Sequence, residues 1–148
     1  MKIILYFDGA SRGNPGIAGA GAYLCTEPFN NKYEWKLRKF LGNKTNNQAE
    51  YYGIIIGLNK VIELIEGNIF SISELVIRGD SQLIIRQLNG QYKVKSKNIV
   101  DLFSQSKILL SKIKYYGIKF RVEHIYRTLN KIADQLANQG IDNENNIS

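Results

Sequence analysis

The side-chain pattern changes period sharply at Thr45, and no other feature constrains the fold as much. Before that point the chain reads as three consecutive strands, and after it helices alternate with single short strands. Residues 2–7 are β-branched, aromatic or long apolar, and the run stops at Asp8-Gly9, a strand followed by a turn. Gly13-Asn14-Pro15-Gly16 is a second turn signal. Residues 17–26 form a strand rich in Gly and Ala, and small residues in a strand let something bulky come close or let the strand bend. After a loop at 27–32, Tyr33, Trp35, Leu37 and Lys39 alternate with Glu34, Lys36 and Arg38, which predicts a third strand with one wet face.

Thr45-Asn46-Asn47-Gln48 has the capping-box spacing, a Thr followed three residues later by Gln. A helix then runs to about Ile65, with Tyr51, Ile54, Ile55, Leu58, Ile62 and Ile65 at helical spacing and Gly67-Asn68 as its stop, and Glu50 is expected in its first turn. A short strand at 75–77 ends in Arg78-Gly79-Asp80, and a short helix at 81–88 stops at Asn89-Gly90. A basic connection at 92–97 leads into a helix whose apolar stripe includes Ile99, Leu102, Phe103, Leu109, Leu110, Ile113 and Tyr116, ending at Gly117. A last strand at 118–125 and a terminal helix around 131–138 follow, and 142–148 reads as a flexible polar tail.

The order β-β-β-α-β-α-α-β-α implies an α/β domain over residues 1–141. Its mixed five-stranded sheet has three antiparallel strands, then two that enter through helical crossovers parallel to the first, with helices on the faces. The 148 residues suffice for one such core. A single cysteine excludes an internal disulfide framework, and a single histidine excludes the common Cys/His zinc sites. The 20 Lys and Arg against 13 Asp and Glu, net +7, favour polyanionic partners. No apolar run approaches the ~20 residues of a membrane span. A cytoplasmic monomer without membrane contact or an organic cofactor is the expectation.

In such a sheet the crevice opens at the carboxyl ends of the strands, where the meander gives way to the crossover strands. Asp8 ends the first strand and Asp80 the fourth; Glu50 and Asp134 lie near the starts of their helices. Singly, such residues are ordinarily a turn Asp or a Glu complementing a helix dipole. Jointly, four acids at one mouth repel one another unless a cation stays among them. Mg²⁺ suits them, with hard oxygen ligands and several retained waters. Two such ions roughly 4 Å apart can serve both sides of a phosphodiester.

The motifs that carry these acids resemble those of type 1 ribonucleases H. They are Asp8-Gly9-Ala10-Ser11-Arg12-Gly13-Asn14-Pro15-Gly16, Thr45-Asn46-Asn47-Gln48-Ala49-Glu50-Tyr51, Gly79-Asp80-Ser81 with Leu88-Asn89-Gly90, and Asn130-Lys131-Ile132-Ala133-Asp134-Gln135-Leu136-Ala137. The resemblance implies a ribonuclease H-like fold and a two-metal endonuclease, using Mg²⁺ with Mn²⁺ as substitute. Such an enzyme cuts the RNA strand of an RNA/DNA hybrid to leave 5′-phosphate and 3′-hydroxyl ends. Carried over by position, it implies that Asp8 bridges the ions, Glu50 and Asp80 complete one and Asp134 holds the other. It also implies minor-groove contacts from Asn14, Asn46 and Asn47, which read RNA 2′-hydroxyls. A DNA-phosphate contact is implied for Thr45, and further substrate contacts for Ser96, Arg127 and Asn130, while Lys93, Lys95 and Lys97 are expected contacts because they alternate in a connection close to the groove.

The chain departs from the family pattern in three places. Many relatives have Asn where Ser96 stands. The loop before the last helix offers Arg127 where several members carry a mobile histidine, and the only histidine, His124, falls within the last strand as a packed or surface residue. Asn89-Gly90 leads almost directly to Lys93, Lys95 and Lys97, so no separate basic handle helix is expected. Lys36, Arg38 and Lys39 read equally as a solvated strand face or a nucleic-acid contact, and Tyr92 and Trp35 as stacking or core residues. Cys25 is most simply buried. Two other function classes remain open: a DNA-directed metal nuclease or strand-transfer enzyme such as a resolvase or integrase relative, and a non-catalytic hybrid-binding module. The asparagine set disfavours the first and the four acids the second.

Overall fold

The computed structural model describes residues 1–145. Its elements are β1 (Lys2–Gly13), β2 (Gly16–Glu27), β3 (Glu34–Lys44), α1 (Asn46–Gly67), β4 (Glu74–Gly79), α2 (Gln82–Leu88), α3 (Lys97–Tyr115), β5 (Lys119–His124) and α4 (Lys131–Asn145). A single 3₁₀ turn, Arg127–Leu129, precedes α4. The sheet order is β3-β2-β1-β4-β5, with β1/β2 and β2/β3 antiparallel and β4 and β5 joined in parallel. Element order and strand directions are those expected.

The period change at Thr45 is a complete capping box. Thr45 Oγ1 accepts the Gln48 N–H at 3.2 Å, and Gln48 Oε1 accepts the Thr45 N–H at 2.9 Å, so two otherwise orphaned amides are satisfied. Asn68 closes α1 in the left-handed region at φ 52°. Ile3, Leu5 and Phe7 alternate along β1 into a core shared with Ile54, Leu58 and Val61 of α1 and Leu110 and Ile113 of α3, all buried. Burying a large aliphatic or aromatic side chain stabilises by roughly 1.5–3 kcal/mol. The small residues of β2 admit the last helix: a Cβ on Gly21 would lie 2.4 Å from the Ala133 carbonyl oxygen. Among the described residues, no helix is long and apolar enough to cross a membrane.

Several boundaries differ from expectation. β1 does not end at Asp8 but runs on to Gly13, because β2 keeps pairing with it from Lys2↔Glu27 to Gly13↔Gly16. β3 continues to Lys44, past an irregularity in its pairing opposite Ala18 and Gly19. Glu50 lies one residue beyond the first turn of α1, whose start at Asn46 is set by the Thr45 cap. The terminal helix extends to Asn145, into the segment expected as a tail from residue 142. It is held there by the Asp142 carboxylate on the Arg12 guanidinium at 2.7 Å. The last three residues of that expected tail lie outside the described ones. α2 and α3 are joined by residues 89–96 without a helix between them, as expected. Trp35 packs in a half-buried aromatic cluster with Tyr33 and Phe70, whereas Cys25 is half-buried rather than buried.

Candidate metal centre and nucleic-acid groove

Parallel pairing between β1 and β4 stops at Tyr6↔Arg78. Two residues further on stand Asp8, where β1 still has β2 on one side but no ladder partner on the other, and Asp80, just past the end of β4. The crevice opens at that loss of pairing, so Asp8 faces it although its strand continues. Glu50 comes in from α1, which can approach β1 because residue 9 has no side chain. A Cβ on Gly9 would lie 2.3 Å from the Glu50 backbone nitrogen. One ligand oxygen from each of Asp8, Glu50 and Asp80 lies within 4.8 Å of the others.

The electrostatics are those of buried carboxylates held close together. The Asp8 pKa is pushed up to about 7, first by burial and then by Asp80 and Asp134, against the opposing effects of the Gly9 amide and Arg127. The Gly9 N–H donates to Asp8 Oδ1 at 2.9 Å. Glu50 is pushed up to about 8 by burial, then by Asp8 and Asp80, with Arg127 opposing. Glu50 Oε2 is buried without a hydrogen-bond partner among the described residues. A buried oxygen of this kind is costly unless something electropositive meets it. An all-oxygen donor set with an orphaned lone pair fits a hard divalent cation.

Asp134 is exposed in the first turn of α4 and is not one of the three converging acids, although Asp8 feels its charge. Arg127 is exposed on the 3₁₀ turn, close enough to oppose the rise at both Asp8 and Glu50. Asn130, expected as a substrate contact, is instead buried, and its Nδ2 donates to the Phe7 carbonyl and to Asp80 Oδ2, both at 2.9 Å. Both Nδ2 hydrogens are thereby spent inside the protein. His124 lies at the end of β5 as expected, with Nε2 at 3.2 Å from the Asp80 carbonyl oxygen.

A groove of about 430 Å³ gathers six of the expected contacts, Asn14, Thr45, Asn47, Lys93, Lys95 and Ser96. Asn14 Oδ1 accepts the Asn46 N–H, which fastens the β1–β2 turn to the start of α1. Asn46 itself is exposed beside that wall rather than lining the groove. The lining also includes Leu83, Gln87 and Asn98, which sequence reasoning missed. Asn98 bonds the Ser96 hydroxyl at the head of α3, and a polar residue two positions past a helix cap was a usable signal. Gln87 left no such signal, since its partner, the buried Tyr51 hydroxyl at 2.7 Å, comes from another helix.

A family model described as reverse transcriptase-like matches residues 6–140. Ribonuclease HI of Halobacterium salinarum is 33% identical over 141 residues, 95% of this chain and 65% of the relative. Ribonuclease H of Pseudomonas savastanoi pv. phaseolicola is 30% identical over 143 residues, covering 95% and 93%. The bifunctional protein Rv2228c of Mycobacterium tuberculosis is 34% identical over 142 residues, and there the chain spans only 36% of the relative's length. Among solved structures, the ribonuclease H1 of H. salinarum superposes with a TM-score of 0.82 at 32% identity, covering 97% of this chain and 99% of that one. LC11 ribonuclease H1, solved in complex with an RNA/DNA hybrid, superposes at 0.83 with 34% identity, covering 96% and 98%. With its strand order, its three converging acids and these similarities across nearly its whole length, the chain belongs to the type 1 ribonuclease H family.

Proposed function

We propose that the chain is a divalent-metal-dependent endoribonuclease that hydrolyses the RNA strand of RNA/DNA hybrids, leaving 5′-phosphate and 3′-hydroxyl ends. The observation that carries this reading is the convergence of Asp8, Glu50 and Asp80, reached by α1 one turn beyond the groove residues Thr45 and Asn47. Asp8, Glu50 and Asp80 would hold one Mg²⁺, with Mn²⁺ as a substitute, and Asp8 and Asp134 a second. When bound, such a pair supplies an activated water on one side of the phosphodiester and a stabilised leaving oxygen on the other.

The chain's other residues bind and orient. Asn14 has its carbonyl oxygen committed to Asn46, which leaves its amide N–H groups to donate into the minor groove. With Asn46 and Asn47 it meets base edges and the 2′-hydroxyls that distinguish RNA from DNA. Lys93, Lys95, Ser96 and Thr45 line the same groove, suited to phosphates of the DNA strand. Arg127 offers a positive charge at the mouth of the acid cluster, where a scissile phosphate would sit. The relative solved with a hybrid supports this substrate. A monomer in the cytoplasm completes the proposal.

Cleavage of labelled RNA/DNA hybrid, double-stranded RNA and double-stranded DNA across a Mg²⁺ titration tests the reading. Only the RNA strand of the hybrid should be cut, and Asp8→Asn should fold yet lose cleavage by orders of magnitude. Near-normal turnover in that variant, or equal cutting of double-stranded DNA, would overturn it.

A further inference from the structure

Asn130 is 1% exposed, at the junction between the 3₁₀ turn and α4. It touches three of the four acid-bearing segments. Its Nδ2 donates to the carbonyl of Phe7, the residue before Asp8, and to Asp80 Oδ2, both at 2.9 Å. Its backbone carbonyl accepts the Asp134 N–H at 3.1 Å, starting the helix that carries Asp134.

The backbone around Asp80 is already held without it. The Ile125 N–H donates to the Gly79 carbonyl at 2.9 Å, and His124 Nε2 lies 3.2 Å from the Asp80 carbonyl oxygen. Ser81 caps α2 immediately after, its hydroxyl accepting the Ile84 N–H at 3.3 Å. What is left undetermined is the rotation of the Asp80 carboxyl group, and among the described residues the Asn130 amide is the side chain that hydrogen-bonds it. A donated N–H to one oxygen fixes the carboxylate's orientation and leaves the other oxygen to face a cation. The alternative role, a substrate contact, conflicts with burial and with both Nδ2 hydrogens being spent inside the protein.

We propose that Asn130 is a positioning residue that orients the Asp80 carboxylate and ties it to the Asp8 strand, so that divalent-ion affinity, not hybrid affinity, depends on it. This rests on the metal-centre reading above. Residues that orient a metal ligand commonly affect metal affinity about 10–100-fold when replaced.

The test is calorimetric titration of Mn²⁺ into the full chain without nucleic acid, alongside hybrid binding measured by fluorescence anisotropy in EDTA. Asn130→Ala should weaken Mn²⁺ binding about tenfold or more while hybrid affinity stays within about twofold. In an Asp80→Asn background the same replacement should change Mn²⁺ affinity by less than about threefold, because the carboxylate it orients is gone. Equal losses in both backgrounds would mean a general structural role and would overturn the assignment. Unchanged Mn²⁺ binding with weakened hybrid binding would overturn it in favour of a substrate contact. Should Asn130→Ala fail to fold, Asn130→Ser, which keeps a short hydroxyl, is measured in its place against the same criteria. Wild-type binding that these replacements leave intact defeats the Asn130 assignment alone, whereas no Mn²⁺ binding by the wild-type chain defeats the metal reading and this assignment together.

Discussion

The Asn14 side chain accepts the Asn46 backbone N–H at 3.1 Å, so the β1–β2 turn and the head of α1 form one continuous wall of the groove. An aspartate at position 14 would keep that acceptor but lose the amide donors and add a negative charge facing a polyanion. Asn14→Asp is therefore expected to leave stability within about 0.5 kcal/mol, as for an exposed substitution. The Michaelis constant for hybrid should rise about tenfold, the size of losing one to two kcal/mol of binding. Thermal melts and steady-state kinetics check both, and an unchanged Michaelis constant would remove Asn14 from the substrate contacts.

Burial and mutual repulsion push Asp8 up to about 7 and Glu50 up to about 8, well above their unfolded values near 4. For carboxyl groups raised in this way the folded state binds protons more tightly than the unfolded state. Their contribution is complete below about pH 4 and is lost as pH rises through 7 and 8. The EDTA-treated chain should thus melt at lower temperature at pH 8.5 than at pH 6. Asp8→Asn should flatten that slope, and Mg²⁺ should raise the melting temperature more at pH 8.5 than at pH 6. A melting temperature that climbs across this interval in EDTA would contradict the assignment of these two groups.

Gly9 is where α1 meets β1, and a methyl group there would lie 2.3 Å from the Glu50 nitrogen and 2.4 Å from the Ala49 carbonyl carbon. Backbone atoms cannot rotate aside as a side chain can, so the helix must shift. Gly9→Ala is expected to cost about 1–3 kcal/mol, the range for overpacking. Activity should fall further than the unfolded fraction explains, because Glu50 moves with the helix. Denaturant melts together with turnover per folded molecule measure the two effects separately.

Lys93 and Lys95 are exposed and line the groove together with Asn14 and Thr45. If each neutralises one phosphate, replacing either by alanine should reduce the slope of log hybrid affinity against log salt by about 0.7–0.9. Lys112 of α3, paired with Glu66 of α1, is the contrasting position and should leave the slope unchanged. Binding isotherms at four or five salt concentrations decide this.

Local chemistry alone determined much of this protein. The capping box at Thr45, the glycine and asparagine stops and the alternation of Ile3, Leu5 and Phe7 are short-range signals, legible because each depends on neighbours within about one helical turn. Three of the four motifs likewise carried the identity of Asp8, Glu50 and Asp80 as a set. What the tertiary structure alone decided is which groups meet. Pairing with β2 carried β1 through Asp8 to Gly13, and the loss of the β4 partner after Tyr6, not the strand's end, is what opens the crevice. Asn130, expected as a substrate contact, reads in the sequence as a polar residue before a helix, and only the packing shows it buried with its amide on Asp80. Asp134 stands apart from the other three acids, and Gln87 enters the groove wall through a hydroxyl on another helix. Such contacts join residues far apart in the chain, and their geometry depends on how sheet and helices pack, a property no local run of side chains encodes.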